Sequence, residues 1–377
     1  MKILNVAGAR PNFMKIAPLI HEMRRHRDIE QKLIHTGQHY DVTMSKVFFD
    51  DLGIPEPDVN LEVGGGERQL VIEKIMSRFD PVVRSERPDA VLVVGDVNST
   101  IACARVARTH GVKVVHVEAG LRSFDRSMPE ELNRVETDAI SDYLFVTEPA
   151  GMQNIANERL KGKAYLVGNV MIDSLVAQLE RARGLRIHDQ FGLTPGSYVV
   201  ATFHRPSNVD SAAALRGVVE IVEHTCSLAP MVLPLHPRTS QALERFGLSS
   251  RLERIEALRL SEPLGYLEFI SLVSSARAVV TDSGGIQEET TFLRIPCVTM
   301  RENTERPATV EVGSNVLAGT EPSTVKRYID AALSRRAGSS AIPALWDGGA
   351  AGRIVALLRE ELPLRVPSGS AFERTPL

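Results

Sequence analysis

The strongest constraint on this chain is a repeated grammar in which short, uninterrupted β-branched runs alternate with stretches of helical spacing. Residues 90–94 read Ala-Val-Leu-Val-Val and residues 113–117 read Lys-Val-Val-His-Val. Apolar runs without polar alternation suit strands covered on both faces, as in a parallel sheet between helix layers. Residues 2–6 and 143–147 give two more such runs. After Phe13, the residues Ile16, Leu19, Ile20 and Met23 fall at helical spacing. The grammar restarts with runs at 198–202, 231–235, 278–281 and 297–300, separated by helical patterns around 215–224 and 289–293. Such a chain is expected to fold as α/β, with two Rossmann-like doubly wound domains facing across a cleft. At 377 residues it can supply a separate core to each. Residues 181–195 lack strand signal and carry Gly184, Gly192 and Pro195, so the boundary falls just before or within them. The expected units are 1–170 and 171–362, followed by a loose tail at 363–377. A last helix at 349–361 has the option of packing back on the first unit.

Composition narrows the function. A net charge of −3 offers no basic field to nucleic acid. Cys103, Cys226 and Cys297 are far apart in apolar contexts, which points to reduced, buried thiols rather than disulfides or a zinc site. The first residues read as a strand, not a signal peptide, and no apolar run approaches the ~20 residues of a membrane span. A cytoplasmic protein without membrane partners is expected. Gly64-Gly65-Gly66 carries Gln69 where a dinucleotide fingerprint needs its third glycine, and no Walker A motif is present. Bound NAD is thereby disfavoured, and neither a cofactor nor a metal is expected.

Ligands of doubly wound sheets sit beyond the carboxyl ends of the strands. After the first run, Arg10 and Lys15 stand where a glycine turn opens a helix. Cations there oppose the helix dipole unless an anion visits. Asp96 and Glu118 end two further runs, and Ser127 to Glu130 has capping-box spacing, which leaves Glu131 outside the cap. Singly, each carboxylate suits a cap or an ion pair. Converging in one cleft, their pKa values would be pushed apart, as proton transfer requires. In the second half His204-Arg205 and His236-Pro237-Arg238 follow two strands. Such histidines can bond phosphate or move protons. Residues 281–289 read strand, Ser283-Gly284-Gly285 turn, then helix, an arrangement that lets backbone N–H groups approach a phosphate. Glu289 is placed to accept from ribose hydroxyls. Tyr266 and Phe269 suit either a base-stacking face or the core. Arg301 and Arg306 add two cations.

Several motifs occur together and in order: Gly-Ala-Arg-Pro-Asn-Phe-Met-Lys (8–15), Gly-Asp-Val-Asn-Ser-Thr (95–100), His-Val-Glu-Ala-Gly-Leu-Arg-Ser (116–123), Pro-Glu-Glu-Leu-Asn-Arg (129–134), His-Arg-Pro-Ser-Asn (204–208), His-Pro-Arg-Thr (236–239), Asp-Ser-Gly-Gly-Ile-Gln-Glu-Glu (282–289) and Arg-Glu-Asn-Thr-Glu-Arg-Pro (301–307). In these, residues 1–360 resemble the non-hydrolysing UDP-N-acetylglucosamine 2-epimerases. The resemblance implies a glycosyltransferase-B-like fold, a homodimer, and UDP and UDP-N-acetylglucosamine as ligands. It implies elimination of UDP to a 2-acetamidoglucal and re-addition after protonation on the other face. It assigns Asp96, Glu118 and Glu131 to proton transfer and cation stabilisation. Arg10, Lys15 and His204 would hold the diphosphate or assist its departure, and Ser283, Gly284 and Gly285 would cradle it. Glu289 would bind ribose, Phe269 would pack on uracil, and Arg306 would close or charge-balance the site. Gln38 and His39 match the segment that binds a second, activating substrate in some bacterial members. Tyr40-Asp41-Val42 departs from that pattern, so activation is not carried over. Rival readings are a hydrolysing 2-epimerase, a 2-epimerase of a modified UDP-sugar such as a diacetamido-uronic acid, a glycosyltransferase, and a non-catalytic nucleotide-sugar sensor.

Overall fold

The computed structural model describes residues 1–37, 52–335 and 338–362. The Gln38–Val42 motif, the tail at 363–377 and the side chain of Arg10 lie outside the described residues.

Among the described residues the first half forms a parallel sheet of seven strands: β1 (Lys2–Ala7), β2 (Glu30–His35), β3 (Val59–Asn60), β4 (Ala90–Val94), β5 (Lys113–Ala119), β6 (Tyr143–Val146) and β7 (Lys163–Leu166). Their order is β3-β2-β1-β4-β5-β6-β7. The second half repeats the winding with β8 (Val199–Thr202), β9 (Met231–Pro234), β10 (Leu258–Ser261), β11 (Ala278–Thr281), β12 (Cys297–Thr299) and β13 (Asn315–Leu317), in the order β10-β9-β8-β11-β12-β13. All pairings are parallel. The chain reverses direction across the sheet between β1 and β4 and again between β8 and β11, and at such switch points a crevice opens beyond the strand ends.

The central strands are those with unbroken apolar runs; every residue of β4 and β11 is buried. The strands that apolar runs did not announce lie at or beside sheet edges. β2 reads Glu-Gln-Lys-Leu-Ile-His and β7 reads Lys-Ala-Tyr-Leu, and each leaves residues partly or fully exposed. The first half has a core on each face of its sheet, and one of them reaches well past residue 170. Trp346, Ala350, Ile354 and Leu358 pack with Ile3, Leu19 and Ile20 of the first half. The helix Ala350–Glu361 starts against Asp173, whose carboxylate accepts from the Ala350 and Ala351 amides at 3.1 and 2.7 Å. It ends with Glu361 accepting from Lys163 and Tyr165. Full burial of Ile354, Val355 and Leu358 contributes about 1.5–3 kcal/mol each. The last helix is therefore fixed to the first sheet, on the far side of the second half in sequence.

One local expectation is corrected. The helix Pro129–Ile140 has Met128 as its N-cap and no side-chain cap. Ser127 instead bonds back to Asp125, with its amide and hydroxyl both donating to the Asp125 carboxylate at 2.9 and 2.6 Å. A nearer acceptor within a two-residue turn outcompetes the helix end. Among the described residues no helix is long and apolar enough to cross a membrane.

Candidate active site

The carboxyl ends of β4 and β5 present Asp96 and Glu118. Gly95, at φ +65°, makes the turn after β4, and a Cβ there would sit 2.8 Å from Lys15 Nζ. Glu118 has φ +69° and lies at a register break in the β5–β6 pairing. A side chain in the left-handed region costs about 1–3 kcal/mol and persists only where its surroundings fix it. Here the bulge aims a buried carboxylate at three cations. Glu118 meets Lys15 Nζ at 2.5 Å, Arg134 Nη2 at 3.0 Å and Arg306 Nη2 at 3.4 Å. Burial pushes its pKa up, but Lys15, Arg306 and Arg134 outweigh that and hold it well below the ordinary carboxylate range.

Arg134 also reaches Asp96 at 2.6 Å, so one buried guanidinium joins the two carboxylates. It projects from the helix Pro129–Ile140, where Glu131, Arg134 and Asp138 are buried at spacings of three and four and share one face. Glu131 is engaged differently from Asp96 and Glu118. Its carboxylate accepts from the Ser123 amide and hydroxyl at 2.8 and 2.9 Å and from the Phe124 amide at 3.2 Å.

From the second half Arg306 enters the same cluster. Besides Glu118 it pairs with Glu288 at 2.9 Å and Glu305 at 2.6 Å, and Arg301 pairs with Glu305 at 2.9 Å. Glu288 also accepts from Asn169. Lys15, expected beside a phosphate, is already paired with Glu118, so its charge serves the buried cluster.

Beside this network lies a cavity of about 320 Å³, walled by Pro11 and Met14 from the first half and by His204, His236, Phe269, Ser283, Gly285 and Glu289 from the second. The Ser283–Gly285 turn opens the helix Gly284–Leu293 with no side-chain cap, leaving its first N–H groups available. Gly284 and Gly285 differ. A Cβ on Gly284 would meet Arg306 Nη1 at 2.8 Å, whereas a Cβ on Gly285 would meet open space. Gly284 is small to admit the arginine, and Gly285 faces the cavity. His204 and His236 lie with ring centroids 5.3 Å apart. His204 Nδ1 pairs with the buried Asp282 at 2.9 Å. Asp282 further accepts from the Arg205 amide and from Asn208. Burial raises the Asp282 pKa, yet the hydrogen bond and charge of His204 with these donors hold it below its ordinary value. Phe269 and Tyr266 serve in both the cavity wall and the core.

Two carboxyls shift the other way. Glu289 is pushed up to about 8, by burial first and by the adjacent Glu288 second. Glu148, at the end of β6, is pushed up to about 7, chiefly by burial, while accepting from the Ala308 amide of the other half at 3.2 Å. Among the described residues no three His, Cys, Asp or Glu side chains form a metal-holding group. Sequence reasoning passed over Arg134, Asp282, Glu288, Glu305 and Glu148. Arg134 had a usable signal, three positions after Glu131 on one helix face, and Glu305 has local partners in Arg301 and Arg306; Asp282, Glu288 and Glu148 acquire theirs only through the packing of distant segments.

Two parallel sheets of repeated winding, a glycine turn at an open helix end and a buried charge cluster between the halves define a glycosyltransferase-B-like enzyme of nucleotide sugars. The family profile described as UDP-N-acetylglucosamine 2-epimerase matches residues 21–359, and the chain belongs to that family. It is 42% identical over 331 residues to a UDP-N-acetylglucosamine 2-epimerase homolog of Methanococcus maripaludis, covering 87% of this chain and 92% of that one. It is also 42% identical over 326 residues to the UDP-2,3-diacetamido-2,3-dideoxy-D-glucuronate 2-epimerase of Pseudomonas aeruginosa, covering 85% and 88%. The crystal structure of Methanocaldococcus jannaschii UDP-GlcNAc 2-epimerase in complex with UDP-GlcNAc and UDP superimposes with a TM-score of 0.88 at 37% identity, covering 96% of this chain and all of that one.

Proposed function

We propose that this protein is a non-hydrolysing 2-epimerase that interconverts UDP-N-acetylglucosamine and UDP-N-acetylmannosamine. The observation that carries the reading is Arg134 joining Asp96 and Glu118 at adjacent strand ends, beside a cavity lined by Ser283 and Gly285. The C2 proton is not next to a carbonyl, so simple enolisation is unavailable. A carboxylate removes it, the C1–O bond breaks with its electron pair leaving on UDP, and C1=C2 forms. Return of a proton to C2 from the other face and re-addition of UDP oxygen at C1 give the epimer. Two faces need two acid/base groups, drawn from Asp96, Glu118 and Glu131. The ionised cluster also stabilises positive charge developing at C1. His204, oriented by Asp282, and the open helix end at Ser283, Gly284 and Gly285 receive the diphosphate, with Arg10, Lys15, His236 and Arg306 charge-balancing the site. Glu289 takes ribose and Phe269 takes uracil. Contacts across the halves, Arg306 to Glu118 and Ala308 to Glu148, keep water from the glycal. Division at 170/171 and a cytoplasmic homodimer belong to the same reading.

The test is proton NMR of the purified protein with UDP-N-acetylglucosamine in heavy water. A new anomeric signal with deuterium at C2 and little free UDP supports the reading. Stoichiometric N-acetylmannosamine and UDP from the outset would show a hydrolase instead. A second reading, a diacetamido-uronic acid as the sugar, is favoured by the Pseudomonas relative, whose identity equals that of the Methanococcus homolog. Parallel assays with both UDP-sugars decide between them.

A further inference from the structure

His116 and Asp138 form a buried pair that is not among the residues lining the cavity, and both side chains have no exposed surface. His116 sits on β5 two residues before Glu118. Its Nδ1 meets Asp138 at 2.7 Å and its Nε2 meets the Gly95 carbonyl at 2.8 Å. A carbonyl oxygen can only accept, so Nε2 carries a hydrogen. Asp138 spends its second oxygen on the Gly120 amide at 3.0 Å and on Arg122 at 2.7 Å. Arg122 is itself held by Glu158 through two bonds of 2.8 Å. Burial raises the Asp138 pKa, but His116 and Arg122 together hold it below its ordinary value.

The three segments gripped are those that carry the acid/base candidates. Gly95 immediately precedes Asp96. Gly120 follows Glu118 by two residues, closing the bulge that turns Glu118 inward. Asp138 stands four residues after Arg134 and seven after Glu131, on the same helix face. Each segment ends in a loop or carries a left-handed residue, and neither geometry holds itself. We propose that His116 and Asp138 are positioning residues that set the spacing of Asp96 and Glu118, the two carboxylates that Arg134 bridges. The pair acts through the backbone at Gly95 and Gly120, not by contact with the sugar. This inference rests on the assignment of Asp96 and Glu118 to proton transfer.

Replacements at His116 separate the two grips. In His116→Asn the amide falls near the place of Nδ1, so the Asp138 contact survives and the Gly95 contact is lost. In His116→Gln the amide reaches the place of Nε2, so Gly95 is kept. Misplacing a reacting group by about 1 Å costs ~10²-fold in rate. His116→Asn is expected to lower kcat by about that factor, with KM and the Kd for UDP changed by no more than a few-fold. The kinetic isotope effect with C2-deuterated substrate should rise, because proton transfer then limits turnover. His116→Gln should keep most of kcat. The proposal is overturned if His116→Asn retains kcat within a few-fold, if the isotope effect does not rise, or if kcat and UDP affinity fall together. It is also overturned if both variants unfold, since the pair would then be structural. Wild-type protein and Asp96→Asn are run alongside. Wild type that leaves C2 deuterium-free, or an Asp96→Asn variant with normal turnover, removes the reading beneath the proposal rather than the pair's grip on Gly95 and Gly120.

Discussion

Replacing Glu289 with glutamine should make the protein more stable in alkaline solution, an unusual outcome for a change at a ligand-binding wall. The side chain is 5% exposed, and burial together with Glu288 pushes its pKa up to about 8 from an ordinary 4.5. Below pH 4.5 the carboxyl is protonated in both folded and unfolded chains and contributes no penalty. Between pH 4.5 and 8 the unfolded chain ionises while the folded one resists, so stability falls as pH rises through that window. Above pH 8 the whole penalty is present. The difference of 8 − 4.5 = 3.5 units corresponds to a ceiling of about 5 kcal/mol. Glu289 lines the cavity, and water reaching the ionised group relaxes part of this, leaving roughly 2–3 kcal/mol. For a unit the size of the second half that is ~5–10 °C in Tm. The assay is a thermal scan of wild type and Glu289→Gln in the absence of nucleotide from pH 5 to 9. The variant should match wild type near pH 5 and gain progressively above it. The difference between the two proteins isolates Glu289, because Glu148 titrates equally in both. A difference independent of pH, or one favouring wild type at pH 9, would refute the electrostatic account of this carboxyl.

Asp96→Asn and Glu131→Gln should each abolish C2 exchange while calorimetry shows UDP still bound, and Arg10→Ala should weaken UDP affinity instead. Gly284→Ala places a methyl 2.8 Å from Arg306 Nη1 and should cost ~1–3 kcal/mol of folding stability by denaturant titration. Gly285→Ala meets no protein atom, so its stability should hold while UDP affinity falls. Arg134→Met leaves Asp96 and Glu118 without their shared partner; about 3–5 kcal/mol of stability should be lost, together with turnover.

The sheet centres were legible because burial on both faces writes itself into sequence as an unbroken apolar run, as in residues 90–94 and 278–281. β2, β7, β10 and β13 were not, since they are short or half-exposed, mix charged or polar residues with aliphatics and borrow strand conformation from a neighbour. At the site, position after a strand was enough to pick out Asp96, Glu118, His204 and the Ser283–Gly285 turn as candidates. Partners were not legible. Lys15 looks like a phosphate ligand beside its glycine turn, and only the fold shows that Glu118 stands 2.5 Å from it. The Ser127–Glu130 spacing suggested a cap, but Asp125 lay closer to Ser127. Spacing along one segment records local chemistry, whereas ion pairs separated by more than a hundred residues, such as Arg306 with Glu118, leave no trace in either segment alone.

The return of the last helix to the first sheet has a mechanical consequence. A lobe attached by one cord can swivel and slide. The second half is attached by two, one leaving through the helix Val170–Gly184 and the other coming back through Trp346, and both end on the same lobe near Asp173. The two crossings meet at one carboxylate, so a displacement of the returning chain is felt by the departing helix through the Asp173 bonds to the Ala350 and Ala351 amides. The contacts of Arg306 with Glu118 and of Ala308 with Glu148 are thus made between lobes whose two covalent links share one anchor.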